Sequence, residues 1–315
     1  MNGAPASTSE SNVGVLLTAL GGPDSLDEVA PFLREVRGGR PTPPTLVEEF
    51  RERYARIGGG SPLLDISTAQ AKALELRLNQ GRGQYRCYVG MRHWKPFIRD
   101  VIADMRRDDL ARVVVLPLTP YHSRRTVDLY LRAVEEARAA TETKFPVESV
   151  ESWNTQPSLL AAFVRGTADG MARLSAAGFS DPPVLFTAHS LPRKLIESGD
   201  DYEQELRETL ELVRQRLGSV RAQLAFQSAG RSEEPWLGPP LETTMQQLAD
   251  AGEKSVLIVP FGFISDHLET LYDIDIEARE LAAKLGLRFE RAASLNTDPK
   301  LIEAMAHAVH ERLAV

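Results

Sequence analysis

The sequence predicts an α/β protein built of two similar doubly wound, Rossmann-like halves with a cleft between them. Three observations predict it. Apolar, β-rich runs recur at 13–20, 85–91, 113–118, 147–152, 184–188, 223–226, 256–263 and, weakly, 287–290. Between them lie amphipathic stretches at 70–78, 124–139, 159–174, 202–217 and 268–285, with apolar residues three and four apart. Strands alternating with helices make parallel sheets with crossover helices. Finally, each half opens alike: a buried strand (VGVLLTAL; PVLFTAH) runs into a turn containing proline (GGPDS; SLPRK) and then a helix.

The seam falls between Trp153 and Ser180. Residues 1–12 (MNGAPASTSESN) are small and polar, with neither a basic start nor an apolar stretch, so they are expected to form a disordered tail rather than a signal peptide. The first half is then expected over 13–155 and the second over 156–300. A final helix at 301–315 is free to lie on either half.

With 43% hydrophobic and 26% charged residues, the 315-residue chain is long enough for about two globular domains of ~150 residues each. Net charge is -7 and the basic residues are scattered, which argues against a nucleic-acid surface or a polybasic membrane patch. The apolar runs fall short of the ~18 residues a membrane span needs, so no stable membrane insertion is expected. Cys87 is the only cysteine, leaving no disulfide within the chain and too few thiolates for an iron-sulfur cluster. A cytoplasmic location and a monomer are expected.

The acidic positions Glu269, Asp273 and Glu277 follow a strand and, on a helix, form one ladder. Like charges one turn apart repel, so a site handling protons or hydrated cations explains them better than a solvated face. A capping box, with Asp266 as N-cap and Glu269 three residues on, accounts for the start of the ladder but leaves Asp273 and Glu277 over. His267 reads equally well as a surface residue.

His189 closes a buried strand at the carboxyl edge of a sheet, where ligands bind in open α/β folds. Its imidazole suits proton transfer near neutrality, though a histidine that only bonds the following turn fits too. Ser190 beside it lacks the glycines of a nucleophile elbow. Arg34, Arg37, Arg40, Arg51, Arg53 and Arg56, interleaved with glutamates, read largely as a salt-bridged face. Arg53-Tyr54 leading into a glycine-rich turn with Ser61 would also suit a ligand carboxylate. Trp236, among prolines, is either a rigid apolar wall or a core plug.

Together these clusters resemble the ferrochelatases, which insert ferrous iron into a porphyrin. The matching segments are LLTALGGPDS at 16–25, RYARIGGGSPL at 53–63, VLFTAHSLP at 184–192, GDDY at 199–202, FQSAG and EPWLGP within 226–239, and VPFGFISDHLETLYDIDIE at 259–277. The resemblance implies two four-stranded parallel α/β halves with the porphyrin in the cleft. It assigns His189 to the histidine over the macrocycle and Glu269 to the acid facing it from the other half. Asp273 and Glu277 become the acidic line leading away, and all four are candidate iron contacts. Arg37, Arg53, Tyr54, Ser61 and Tyr130 match the propionate-binding positions of coproporphyrin-type members.

The segment 36–44 is short and polar where membrane-docking members carry an apolar lip. Leu20 stands where many coproporphyrin-type members have an iron-contacting tyrosine, and leucine cannot ligate iron. With Trp236, it is expected to line the substrate site. Ferrous iron enters as substrate and no permanently bound cofactor is expected. The implied mechanism has neutral His189 accepting a pyrrole proton, with Glu269 assisting and the ladder relaying protons or cations. Coproporphyrin III is the expected substrate, with protoporphyrin IX as the alternative. A non-catalytic porphyrin or haem binder is a further alternative.

Overall fold

The computed structural model describes residues 12–81, 83–230 and 232–314. The tail expected over 1–12 lies outside these residues except for Asn12, which is already the first residue of a strand.

Among the described residues, eight parallel strands form two sheets. β1 (Asn12–Ala19), β2 (Gln84–Met91), β3 (Arg112–Pro117) and β4 (Val147–Ser149) make the first, in the order β2-β1-β3-β4. β5 (Val184–His189), β6 (Ala222–Gln227), β7 (Ser255–Val259) and β8 (Arg288–Arg291) repeat that order as β6-β5-β7-β8. All eight expected strands are present. β1 and β5 are central, with Leu16 level with Tyr88 and Val115, and Phe186 level with Leu224 and Val259. Both are buried along nearly their whole length, as strands covered by helices on two faces must be.

β7 ends four residues before the apolar run does. Pro260 has no N–H for the ladder, and the chain turns back over β5, where the Gly262 N–H donates to the Thr187 carbonyl (3.0 Å). A Cβ on Gly262 would stand 2.6 Å from the Ala188 Cα, so only glycine permits this approach.

Helices at Leu63–Leu78, Val127–Ala140, Pro157–Ala176 and Tyr202–Leu217 match the expected ones. Val29–Val36 and Arg193–Glu197 follow the two proline turns as expected, whereas Pro44–Arg56, Ile98–Met105 and Leu241–Asp250 went unread. Pro44–Arg56 shows why: of its side chains only Tyr54 is buried, so no apolar stripe marks it.

The last helix, Pro299–Leu313, starts with Pro299 and is capped by the Asp298 carboxylate, which accepts from the Lys300 N–H (2.8 Å). It does not choose one half. It lies against Leu63–Leu78 and β3 of the first half and against Pro157–Ala176 of the second. Buried Leu301, Met305 and Val309 thereby join Val15 and Leu17 of β1 to Phe186 and Val259 in one continuous core.

Candidate active site

β5 delivers His189 to the carboxyl edge of the second sheet. Its backbone carbonyl accepts the Tyr202 hydroxyl (3.2 Å), and the ring Nδ1 lies 2.8 Å from the Glu269 carboxylate. This corrects one expectation: Glu269 does not face His189 from the other half. Both belong to the second half, because the loop after β7 folds back beside β5 and puts the two side chains in contact. With Nδ1 committed to Glu269, Nε2 is the ring nitrogen left for a substrate. The side chains remain about a third exposed, 32% and 29%, so the pair is reachable from the cleft.

The ladder lies on a helix of unexpected form. Glu269–Ala278 is a π-helix that passes into the α-helix Arg279–Lys284. π-helical turns concentrate at functional sites, and their i→i+5 bonding is not encoded by a spacing of four. Nor is there a capping box. Asp266 instead accepts from the Ser294 hydroxyl (2.6 Å) and the Asn296 amide (2.8 Å), while Thr270 Oγ1 accepts the His267 N–H (2.9 Å). The start of the helix is held from below by Gln227, whose amide donates to the Glu269 carbonyl (3.0 Å).

Each carboxylate of the ladder has its own surroundings. Asp273 accepts a hydrogen bond from Ser228 and lies 3.7 Å from the Arg53 guanidinium, whereas Glu277 is exposed. Among the described residues no three His, Cys, Asp or Glu side chains are grouped to hold a metal. The four-residue iron set therefore separates into the His189–Glu269 pair and two carboxylates further along, each turned to a different environment.

Electrostatics sort these groups. Burial pushes the His189 pKa down, but the Glu269 charge, its hydrogen bond and Asp273 outweigh it, and the net shift is upward. Burial likewise pushes Glu269 up, yet His189, His267 and Arg53 hold it well below the usual carboxylate range. Both shifts favour an imidazolium–carboxylate pair. Asp273 is raised to about 7, by burial first and Glu269 second, with Ser228 and Arg53 pulling the other way.

His267 is not a surface residue. Its ring packs at a tilt against Phe263 (4.4 Å between centroids), its Nδ1 meets the Ser265 carbonyl (3.1 Å) and its Nε2 is 3.9 Å from Glu269. Burial lowers its pKa, the reverse of His189. Ser190 is fully buried and donates to the Leu237 carbonyl (2.9 Å), which removes it as a nucleophile.

The residues matched to propionate binding come from the first half. Tyr54 and Tyr130 are buried, and their hydroxyl pKa values are pushed far up, by burial first, with the Glu269 charge adding to it and Arg92 opposing it at Tyr130. Ser61 sits against Gly22, where a Cβ would come within 2.6 Å of its hydroxyl, and the Ser61 N–H is pinned to the Pro23 carbonyl (2.8 Å). Arg37 keeps its Nε buried without a hydrogen-bond partner among the described residues. Arg53 is less free than its motif suggests: besides Asp273 it pairs with Glu49 (3.1 Å) and lies over the Tyr272 ring (5.0 Å).

Leu20, 39% exposed, projects beyond β1 with its carbonyl accepting the His93 N–H (2.9 Å). Trp236 is half-buried, forms a backbone bridge with Pro192 just past His189, and bonds Ser232 through its indole N–H (3.1 Å). Its ring covers Gly230, where any Cβ would collide with it. It is a wall more than a plug. Tyr202, Gln227 and Ser228 escaped the sequence reading, although GDDY and FQSAG carry all three.

The chain matches the family model described as Ferrochelatase over residues 12–313. It is 35% identical to a ferrochelatase of Deinococcus radiodurans, over 98% of each chain. It is 32% identical to a coproporphyrin III ferrochelatase of Oceanobacillus iheyensis, over 95% of this chain and 96% of that one. Among solved structures, SirB from Bacillus subtilis with Fe3+ shares the fold, with a TM-score of 0.59 at 12% identity over 96% of both chains. Matched almost end to end in sequence, the chain belongs to the ferrochelatase family, the porphyrin metal chelatases that take ferrous iron as substrate.

Proposed function

We propose that the porphyrin is coproporphyrin III and that His189 and Glu269 are the groups at which its pyrrole protons are exchanged for iron. Arg37 carries the substrate assignment: a buried guanidinium nitrogen without a partner is costly unless an anion arrives to meet it. Tyr54, Ser61 and Tyr130 add neutral donors on the same half, which suits a macrocycle carrying several carboxylates. The relatives in Oceanobacillus iheyensis and Halalkalibacterium halodurans named coproporphyrin III ferrochelatases point the same way.

In this reading the macrocycle lies in the cleft, carboxylates toward the first half and pyrrole nitrogens toward His189 Nε2. The imidazolium must lose its proton before it can accept one from a pyrrole. Glu269 holds Nδ1 and orients the ring. Asp273, titrating near neutrality one ladder step away, supplies a carboxylate that exchanges protons with solvent. Imidazole nitrogen is also a suitable ligand for iron in passage. Leu20 contributes apolar contact only.

Anaerobic absorbance assays with ferrous iron and each porphyrin test the substrate. The expected kcat/KM is at least ~10-fold higher for coproporphyrin III than for protoporphyrin IX, since carboxylate partners left unpaired penalise the latter. Equal values, or a preference for protoporphyrin IX, would overturn the assignment.

A further inference from the structure

We infer that Gln70 is a positioning residue for the insertion reaction: a buried strut from the first half that sets the height of the helix bearing Glu269. Gln70 lies two turns into the helix Leu63–Leu78, which begins just after Ser61, and it is fully buried. Its amide nitrogen crosses to the second half and donates to Ser265 Oγ (2.9 Å) and to the Asn296 carbonyl (2.7 Å). Its Oε1 meets nothing among the described residues. A buried amide with an unmet oxygen is a poor choice for filling space, where an apolar side chain of similar volume would do better. What it adds is a fixed distance.

That distance reaches the reacting groups through short, rigid steps. Ser265 and Asn296 lie either side of Asp266: the Asn296 N–H bonds the Ile264 carbonyl (2.7 Å), and its amide clasps Asp266 in both directions (2.9 and 2.8 Å). Asn296 takes the left-handed conformation this needs (φ 46°), one asparagine tolerates better than most residues. Asp266 also meets Arg291 (3.4 Å), and Arg291 forks onto Asp275 (2.7 and 2.9 Å) within the π-helix. One network thus holds the entry to that helix and its middle, and Gln70 connects it to the half that carries Ser61 and Tyr54. Substrate gripped by the first half is thereby presented to Glu269 at a set separation.

This inference rests on the assignment of Glu269 above. The experiment is steady-state iron insertion, with porphyrin binding followed by fluorescence quenching, for the wild type, Gln70→Met, Ser265→Ala and Glu269→Gln. Gln70→Met keeps the volume and removes both bonds. It is expected to lower kcat by about tenfold or more while porphyrin KM and binding stay within about twofold. Ser265→Ala removes one hydroxyl and is expected to show the same split to a smaller degree. The double variant should be no worse than Gln70→Met alone, because both act through one contact. Unchanged kcat in Gln70→Met, or a lowered kcat accompanied by a comparably raised KM and weakened porphyrin binding in both single variants, would overturn the inference. If Gln70→Met fails to fold, an unaltered kcat in Ser265→Ala overturns it instead. Full turnover in Glu269→Gln would strike down the assignment of Glu269 itself, independently of Gln70.

Discussion

His189, Glu269 and Asp273 show how three titratable side chains in one cleft acquire different roles from their neighbours alone. Glu269 is stabilised as a carboxylate by two imidazoles and Arg53, whereas burial and the Glu269 charge outweigh Ser228 and Arg53 at Asp273, which retains a proton near neutrality. Such a carboxyl works against the fold. In the unfolded chain Asp273 titrates near its ordinary 3.8, and in the folded protein near about 7. Between those values the folded state binds more protons, so stability falls as pH rises through that window. Asp273→Asn removes the loss. Denaturant unfolding is expected to find the variant equal to wild type near pH 4 and more stable at pH 8. The gain is on the order of 2 kcal/mol, discounted because Arg53 loses a partner. Equal stability at pH 8 would mean that Asp273 carries no such burden. The acidic residues were legible as a ladder, but the partners that set their charge were not, since Ser228 and Arg53 come from distant segments.

At the scale of elements, strands were far easier to read than helices. A run such as VGVLLTAL is buried on both faces and announces itself by composition. Pro44–Arg56 buries one side chain and reads as a salt-bridged face with no apolar stripe, although it carries Arg53 and Tyr54. The helix Glu269–Ala278 was placed correctly but taken as an ordinary one, because residues four apart share a face at either pitch. Nothing in the residue pattern distinguishes the two. The loop feeding this helix depends on Gly262. In Gly262→Ala the new methyl would press on the Ala188 backbone, which has no rotamer by which to yield. A melting temperature lowered by roughly 5 °C or more is expected, corresponding to a few kcal/mol in a chain of this size. Thermal unfolding followed by circular dichroism checks it, and a shift below about 1 °C would show that the loop gives way freely.

Across the whole molecule, the duplicated opening of the two halves was visible in the sequence and became two sheets of identical strand order. What joins them was not visible. The last helix spans both halves, Tyr121 donates to the Phe261 carbonyl across the seam (3.1 Å), and Arg53 and Arg56 reach Asp273 and Glu280. These contacts separate residues by a hundred positions or more, beyond the reach of any local pattern. The placement of Glu269 opposite His189 came with the family resemblance, since the bounds expected for the second half, 156–300, already hold both residues. On the function proposed above, the first half grips the porphyrin and the second exchanges its protons for iron.

The rate of anaerobic ferrous iron insertion into coproporphyrin III by His189→Ala, measured beside porphyrin binding by the same variant, tests that division most directly. The prediction is a loss of ~100-fold or more in turnover with binding nearly unchanged. Turnover near that of the wild type would contradict it.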